Sequence, residues 1–307
     1  MQKTNKQIRS EEIPIMIIGP PRSGTTWIAN VLSTASQIHY IHEPDNEKNH
    51  IVGFLYKKNL CRFPFLSENT SHKLYYSLFK RAFCKRMISS TNKMNQLMLK
   101  IENTNPDKAE SELREQGYLT HHSWLMFWEK LLLDLFSDMP KNRHSRRLVK
   151  SVHAVLSVPF LLKHFSIYPI FIFRHPAAIV SSYKYLGLPD GNRLKSLISQ
   201  LKDFLDVKLL HQMEHLNNPM EIMGAQVGLF HYMMKQFIDR YKIDYHLYEQ
   251  IVDDPFDRFK EMFEKYGLSF NRKTIDLISE SNKEGLGFNT QRIMERQKNI
   301  WKERLTP

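Results

Sequence analysis

Apolar residues along the chain fall into two rhythms. Five short runs, at 13–18, 38–42, 147–150, 169–173 and 245–248, carry the Ile, Val, Leu, Tyr and Phe content of strands. Between them the spacing lengthens to the step of helices. Residues 26–33 place Trp27, Val31 and Leu32 on one stripe, 156–165 lie between the third and fourth runs, and 177–186 follow the fourth. Short apolar strands alternating with helices predict an α/β fold, a parallel sheet flanked by helices on both faces. Two stretches break the alternation, from about 51 to 142 and from about 193 to 239. They are helix-like, with aromatics and Met concentrated in 74–87 and 123–136, and read as helical insertions capping the sheet. No internal repeat or low-complexity linker appears, so residues 1–307 are expected to form one domain.

Composition narrows the class. Hydrophobic residues make up 42% and charged residues 25%, which excludes a disordered tail, a collagen-like rod and a disulfide scaffold. Cys61 and Cys84 form no CxxC pair, and a reducing compartment fits them. The first twelve residues are polar, without a secretory signal, and the run 13–18 is too short to span a bilayer, which needs about 20 residues. A soluble, unanchored, cytoplasmic protein is expected. Lys and Arg exceed Asp and Glu by 44 to 32, a net charge of +12. The basic residues do not interleave with aromatics, and no nucleic-acid-binding motif appears, so the surplus suits an anionic small molecule rather than nucleic acid. The densest cluster, Arg143-His144-Ser145-Arg146-Arg147, reads as a solvated loop. Zinc is not expected: His39 and His42 point to opposite faces of a strand, and adjacent His121 and His122 diverge on a helix.

Gly19-Pro20-Pro21-Arg22-Ser23-Gly24-Thr25-Thr26 follows the first strand and opens the first helix. Glycines let the backbone approach an anion, successive N–H groups face it, and the helix N-terminus adds partial positive charge. The run is similar to the phosphate-binding GxxxxGK[ST] pattern, with Thr25 at the lysine position and Arg22 as the strong cation inside the loop. A site for a magnesium-bound triphosphate needs a carboxylate at a strand end. The strand 169–173 instead runs into Arg174. A magnesium-dependent kinase or nucleotidase would have to use Asp244 or Asp45. A nucleotide-binding protein without catalysis is the other alternative.

Pro21-Arg22-Ser23-Gly24-Thr25-Thr26-Trp27 resembles the 5′-phosphosulfate loop of sulfotransferases that use 3′-phosphoadenosine 5′-phosphosulfate (PAPS). Arg174-His175-Pro176 with Ser182 resembles their 3′-phosphate motif, and 247–255 and 263–268 are similar to later segments of the same family, soluble bacterial and carbohydrate types included. The likeness spans about 13–268. It implies that Arg22, Ser23, Gly24, Thr25 and Thr26 hold the 5′ end. Arg174 and Ser182 would hold the 3′-phosphate, with Trp27 and Tyr248 near the adenine. Lys150 would stand as a second catalytic cation beside Arg22, and no metal is implied. Two residues are candidates for the general base. Glu43 lies just past a strand, and Pro44 is expected to hold it extended. His153 follows Lys150, but the histidine of the cytosolic branch sits two residues after its lysine, where this chain has Val152. Glu43 is favoured. In the C-terminal part, Arg292, Arg296 or Lys298 would reach the 3′-phosphate. The acceptor, a carbohydrate, a lipid or a small hydroxylated molecule, would meet a cap carrying Trp124, Phe127 and Trp128.

Overall fold

A computed structural model of the chain describes residues 13–57, 59–84, 145–187, 191–284 and 293–305. Five strands lie within them: β1 (Ile15–Ile18), β2 (Ile38–His42), β3 (Arg146–Ser151), β4 (Tyr168–Phe173) and β5 (Asp244–Leu247). They form one sheet in the order β2-β3-β1-β4-β5, and every neighbouring pair is parallel. Each predicted run holds a strand.

The sheet is covered on both faces, and its strand period explains how. All four residues of β1, Ile-Met-Ile-Ile, are fully buried. Met16 and Ile18 pack with Val149 and Phe171 in one core, whereas Ile15 and Ile17 pack with Leu148, Ile170 and Ile172 in the other. Alternate side chains leave a strand on opposite faces, so one continuous apolar run feeds two cores. Helices Ile51–Lys57, Lys73–Phe83, Val158–His164, Gly191–Leu201 and Pro219–Tyr241 cover the first core. Thr25–Leu32, Tyr248–Asp253, Pro255–Lys265 and Arg272–Ser281 cover the second. The described parts of the two predicted insertions thus build the helical layer of one sheet face. His121, His122, Trp124, Phe127, Trp128, Arg143 and Arg292 lie outside the described residues.

The basic cluster departs from expectation. Arg146 and Arg147 are not in a solvated loop; they open β3 and are buried. The Arg146 guanidinium donates to the carbonyl of Ile13, at 2.6 Å, and to that of Tyr266, so its charge is buried with satisfied hydrogen bonds.

Because all five strands run the same way, their carboxyl ends share one edge of the sheet, where open parallel sheets bind ligands. Gly19 follows β1, Glu43 follows β2, Lys150 lies at the end of β3, Arg174 follows β4 and Tyr248 follows β5. Asp244 is the first residue of β5 and lies at the opposite edge.

Candidate active site

The loop after β1 is tightly determined. The Ser23 N–H donates to the Pro20 carbonyl at 3.1 Å, and both Arg22 (φ 71°) and Gly24 (φ 92°) take the left-handed conformation. A side chain at Gly24 would also meet the Tyr248 ring at 2.3 Å, and one at Gly19 would meet the Ile172 carbonyl at 2.7 Å. Arg22 has no such exemption, and a non-glycine residue held there costs on the order of 1–3 kcal/mol. The distant motif around β4 completes the loop. Arg174 donates to the Arg22 carbonyl at 3.0 Å, Arg22 Nε donates to Ser182 Oγ at 2.9 Å, and the Tyr183 hydroxyl donates to the Pro21 carbonyl at 3.1 Å. The Arg174 guanidinium also lies 4.5 Å from the centre of the Tyr248 ring. Trp27 is buried, packed edge-on against Tyr248 and Phe259. Ser23 Oγ, Trp27 Nε1 and Arg174 Nε are buried and have no hydrogen-bond partner among the described residues.

Glu43 is not extended. Its φ is +44°, because its N–H closes onto the Lys150 carbonyl at 2.7 Å while its own carbonyl accepts from the Asn46 N–H at 2.9 Å. These two bonds turn the chain off the end of β2 and override the local preference before Pro44. The side chain still reaches the sheet edge, where Glu43 Oε1 pairs with Lys150 Nζ and Oε2 accepts from Asn46 Nδ2 at 2.6 Å. Burial pushes the Glu43 carboxyl up, but the Lys150 ammonium outweighs it and holds the group at about 2. Burial lowers Lys150. His153 is buried with Nδ1 at 3.2 Å from the Asp45 carbonyl and its ring edge-on to Phe63, and burial lowers its pKa.

These groups share one cleft of about 580 Å³. Among the described residues six cations line it, Arg22, Lys48, Arg62, Lys150, Arg174 and Arg193, against a single carboxylate, Glu43. Gly24, Thr25, Thr26, Trp27, Tyr248 and His153 also line it, so the structure brings these sequence-proposed residues to one cleft, whereas Ser23 and Ser182 are buried and not part of its lining. Of the three C-terminal basic candidates, Arg292 lies outside the described residues. Arg296 turns to Glu303 and Lys298 to Asp253, whereas Gln297 between them lines the cleft and accepts from Arg174 at 3.4 Å. The carboxylates that a kinase reading needs are elsewhere. Asp244 binds Lys265 and Tyr266 at the far edge, and Asp45 is fully buried on Ser151 Oγ at 2.6 Å. Among the described residues no three His, Cys, Asp or Glu side chains are grouped to hold a metal ion, and no helix is long and apolar enough to cross a membrane.

Sequence reasoning missed Asn46, Lys48, Arg62, Phe63, Arg193 and Gln297. The Glu43-Pro44-Asp45-Asn46 turn offered a local signal for Asn46. Arg62 and Arg193 carried none, since nothing in their flanking residues marks a site.

The family model described as "Sulfotransferase family" matches residues 14–272. The chain belongs to the sulfotransferase family, whose members generally draw on PAPS and act on small acceptor molecules. Among solved structures it is similar to the sulfotransferase domain from the curacin biosynthetic pathway, at 13% identity and a TM-score of 0.47 over 96% of this chain and 92% of that one. It is also similar to sulfotransferase STF9 from Mycobacterium avium, at 15% identity and a TM-score of 0.41 over 96% and 76%. A sulfotransferase from Alicyclobacillus acidocaldarius matches at 13% identity and a TM-score of 0.36 over 95% and 94%. No curated protein matches the chain.

Proposed function

We propose that the chain moves the sulfuryl group of PAPS to a hydroxyl or amine of its acceptor by in-line displacement, with protein cations rather than a divalent ion offsetting the charge. The observation that carries this reading is the meeting, in one cleft, of the Arg22 loop and the Lys150–Glu43 pair. The residues fit such a donor. Buried donors at Trp27 and Arg174 that have no hydrogen-bond partner among the described residues, beside a cleft of about 580 Å³, offer hydrogen-bonding capacity and room for a polyanion.

PAPS supplies the sulfuryl group and a phosphate leaving group. The loop N–H groups of Ser23, Gly24, Thr25 and Thr26 hold the 5′ end, and Arg174 with Ser182 takes the 3′-phosphate through a charge-assisted fork. Trp27 and Tyr248 flank the adenine. As the acceptor oxygen bonds to sulfur and the sulfur–oxygen bond to phosphate breaks, Arg22 and Lys150 stabilise the charge on the leaving and equatorial oxygens. The acceptor proton goes to Glu43. Lys150 has three N–H donors, and turning them toward sulfuryl oxygens releases Glu43 from the pairing that keeps it acidic, which raises its basicity when the donor is in place. His153 serves less well, with Nδ1 directed at the Asp45 carbonyl.

The test is transfer of labelled sulfate from PAPS to pooled acceptors in EDTA, alongside thermal shift with 3′-phosphoadenosine 5′-phosphate (PAP). Transfer in EDTA and stabilisation by PAP are expected. Transfer only with added magnesium would overturn the metal-free chemistry, and stabilisation by ATP with magnesium but not by PAP would overturn the donor assignment.

A further inference from the structure

Sheet order divides the cleft. From the β1 loop toward β4 and β5 lie Arg174 and Tyr248, the half assigned to the nucleotide. Toward β3 and β2 lie Lys150 and Glu43, so the acceptor enters on that side. The wall there is cationic. Arg193, from helix Gly191–Leu201, sits with Cζ 5.3 Å from the centre of the Phe63 ring, and Arg62 sits 6.0 Å from the same ring. Phe63 itself is buried and lines the cleft. The Tyr183 hydroxyl beneath feels Arg193, Arg22 and Arg62 together, each favouring its ionised form against burial. Glu47 is shared between two cations, at 2.9 Å from Lys57 and 3.1 Å from Arg62. Lys48 at the mouth is exposed and has no ion pair among the described residues.

We propose that the acceptor is itself an anion: a hydroxyl or amine compound carrying a carboxylate, sulfate or phosphate group, which Arg62 and Arg193 hold against Phe63 while its nucleophile faces Glu43. The inference rests on the reading that Glu43 marks the sulfuryl-receiving end of the cleft. A neutral acceptor would strip water from these guanidinium groups and give no charge in return, whereas an anion replaces water with charge-assisted hydrogen bonds. In the transfer the anionic group is a spectator. The acceptor oxygen gains sulfur, PAP leaves with the electron pair of the broken sulfur–oxygen bond, and the proton goes to Glu43.

Matched probes test this: 4-hydroxyphenylacetate against 4-hydroxyphenylacetamide, and 3-hydroxybutyrate against 3-hydroxybutyramide. Each is measured by kcat/KM with PAPS and by calorimetric binding to the PAP-loaded protein. The acids are expected to exceed their amides by about 10- to 100-fold, the range of a charged hydrogen bond, with the margin shrinking in salt. Arg193→Gln and Arg62→Gln should each collapse the acid-to-amide ratio toward unity while PAP affinity holds within about twofold. Equal or greater use of the amides, or no acid binding to the PAP-loaded protein, overturns the inference alone. Failure of PAP to bind the unmodified chain sinks the donor reading and this inference with it.

Discussion

The half of the cleft between β1 and β5 and the half toward β2 are assembled from different kinds of structure. On the first side Arg22, Gly24, Arg174 and Tyr248 stand on or beside strand ends, and they touch one another: guanidinium on ring, guanidinium on carbonyl, ring against a glycine with no room for a side chain. On the second side only Glu43 and Lys150 come from strand ends. Arg62, Phe63, Lys48 and Arg193 arrive on loops and a helix start, and a buried Lys57 ties the Arg62 loop to the Asp45 turn by donating to the Asp45 and Arg62 carbonyls at 3.0 and 2.9 Å. The contrast has a physical root. A parallel ladder sets strand ends relative to one another, so residues at short offsets from them form a fixed cluster. Loops and helical insertions can be exchanged without disturbing that ladder, which leaves their side of the cleft free to vary in its lining.

The sharpest break between the halves should come from Glu43→Gln. Turnover with saturating PAPS is expected to fall by on the order of 10²–10⁴, the usual contribution of a positioned base. PAP affinity by calorimetry should stay within about twofold. Normal turnover would move the base elsewhere. Arg174→Ala should do the reverse and weaken PAP binding by about 10- to 100-fold through loss of charged hydrogen bonds. Calorimetric titration reads this directly, and unchanged affinity would detach Arg174 from the nucleotide.

A smaller effect lies in acid stability. Glu43 is held at about 2 in the folded chain against an ordinary value of 4.5. The unfolded chain therefore binds the extra proton first as pH falls. The stabilisation is complete above about 4.5 and lost on descent toward about 2, on the order of 3 kcal/mol. Urea midpoints across this window should fall. In Lys150→Met this loss should vanish or reverse, because burial without the ammonium raises Glu43 above its ordinary value and the folded chain then binds the proton first. The smallest effect is expected for Arg296→Ala, since that side chain faces Glu303 away from the cleft. PAP affinity should change by less than about twofold, and a loss near that of Arg174→Ala would reverse the geometry at the C-terminal segment.

How far the site could be read from the chain follows the same division. Ser182 lies eight residues after Arg174, and the pair was linked in the sequence by its resemblance to the 3′-phosphate motif of sulfotransferases. Arg22 in its loop was equally visible. The conformation of Glu43 was not, because its φ is imposed by hydrogen bonds to Lys150 and Asn46, one of them more than a hundred residues away. Arg146 and Arg147 looked like surface charge, since the carbonyls that satisfy Arg146 belong to Ile13 and Tyr266. Gln297 was overlooked for its two charged neighbours, whose partners Glu303 and Asp253 pull them outward.

By itself, the order of residues determined the five strands, the parallel sheet and the glycine-bearing turn between Gly19 and Thr26. Each depends on periodicity or on conformational limits within a few positions, and those act wherever the segment lies. Only the tertiary structure decided that Arg62 and Arg193 converge on Phe63 and that Glu43 meets Lys150 through a left-handed turn. Those contacts join segments far apart along the chain, and their geometry depends on how helices pack over a sheet, which no local pattern encodes.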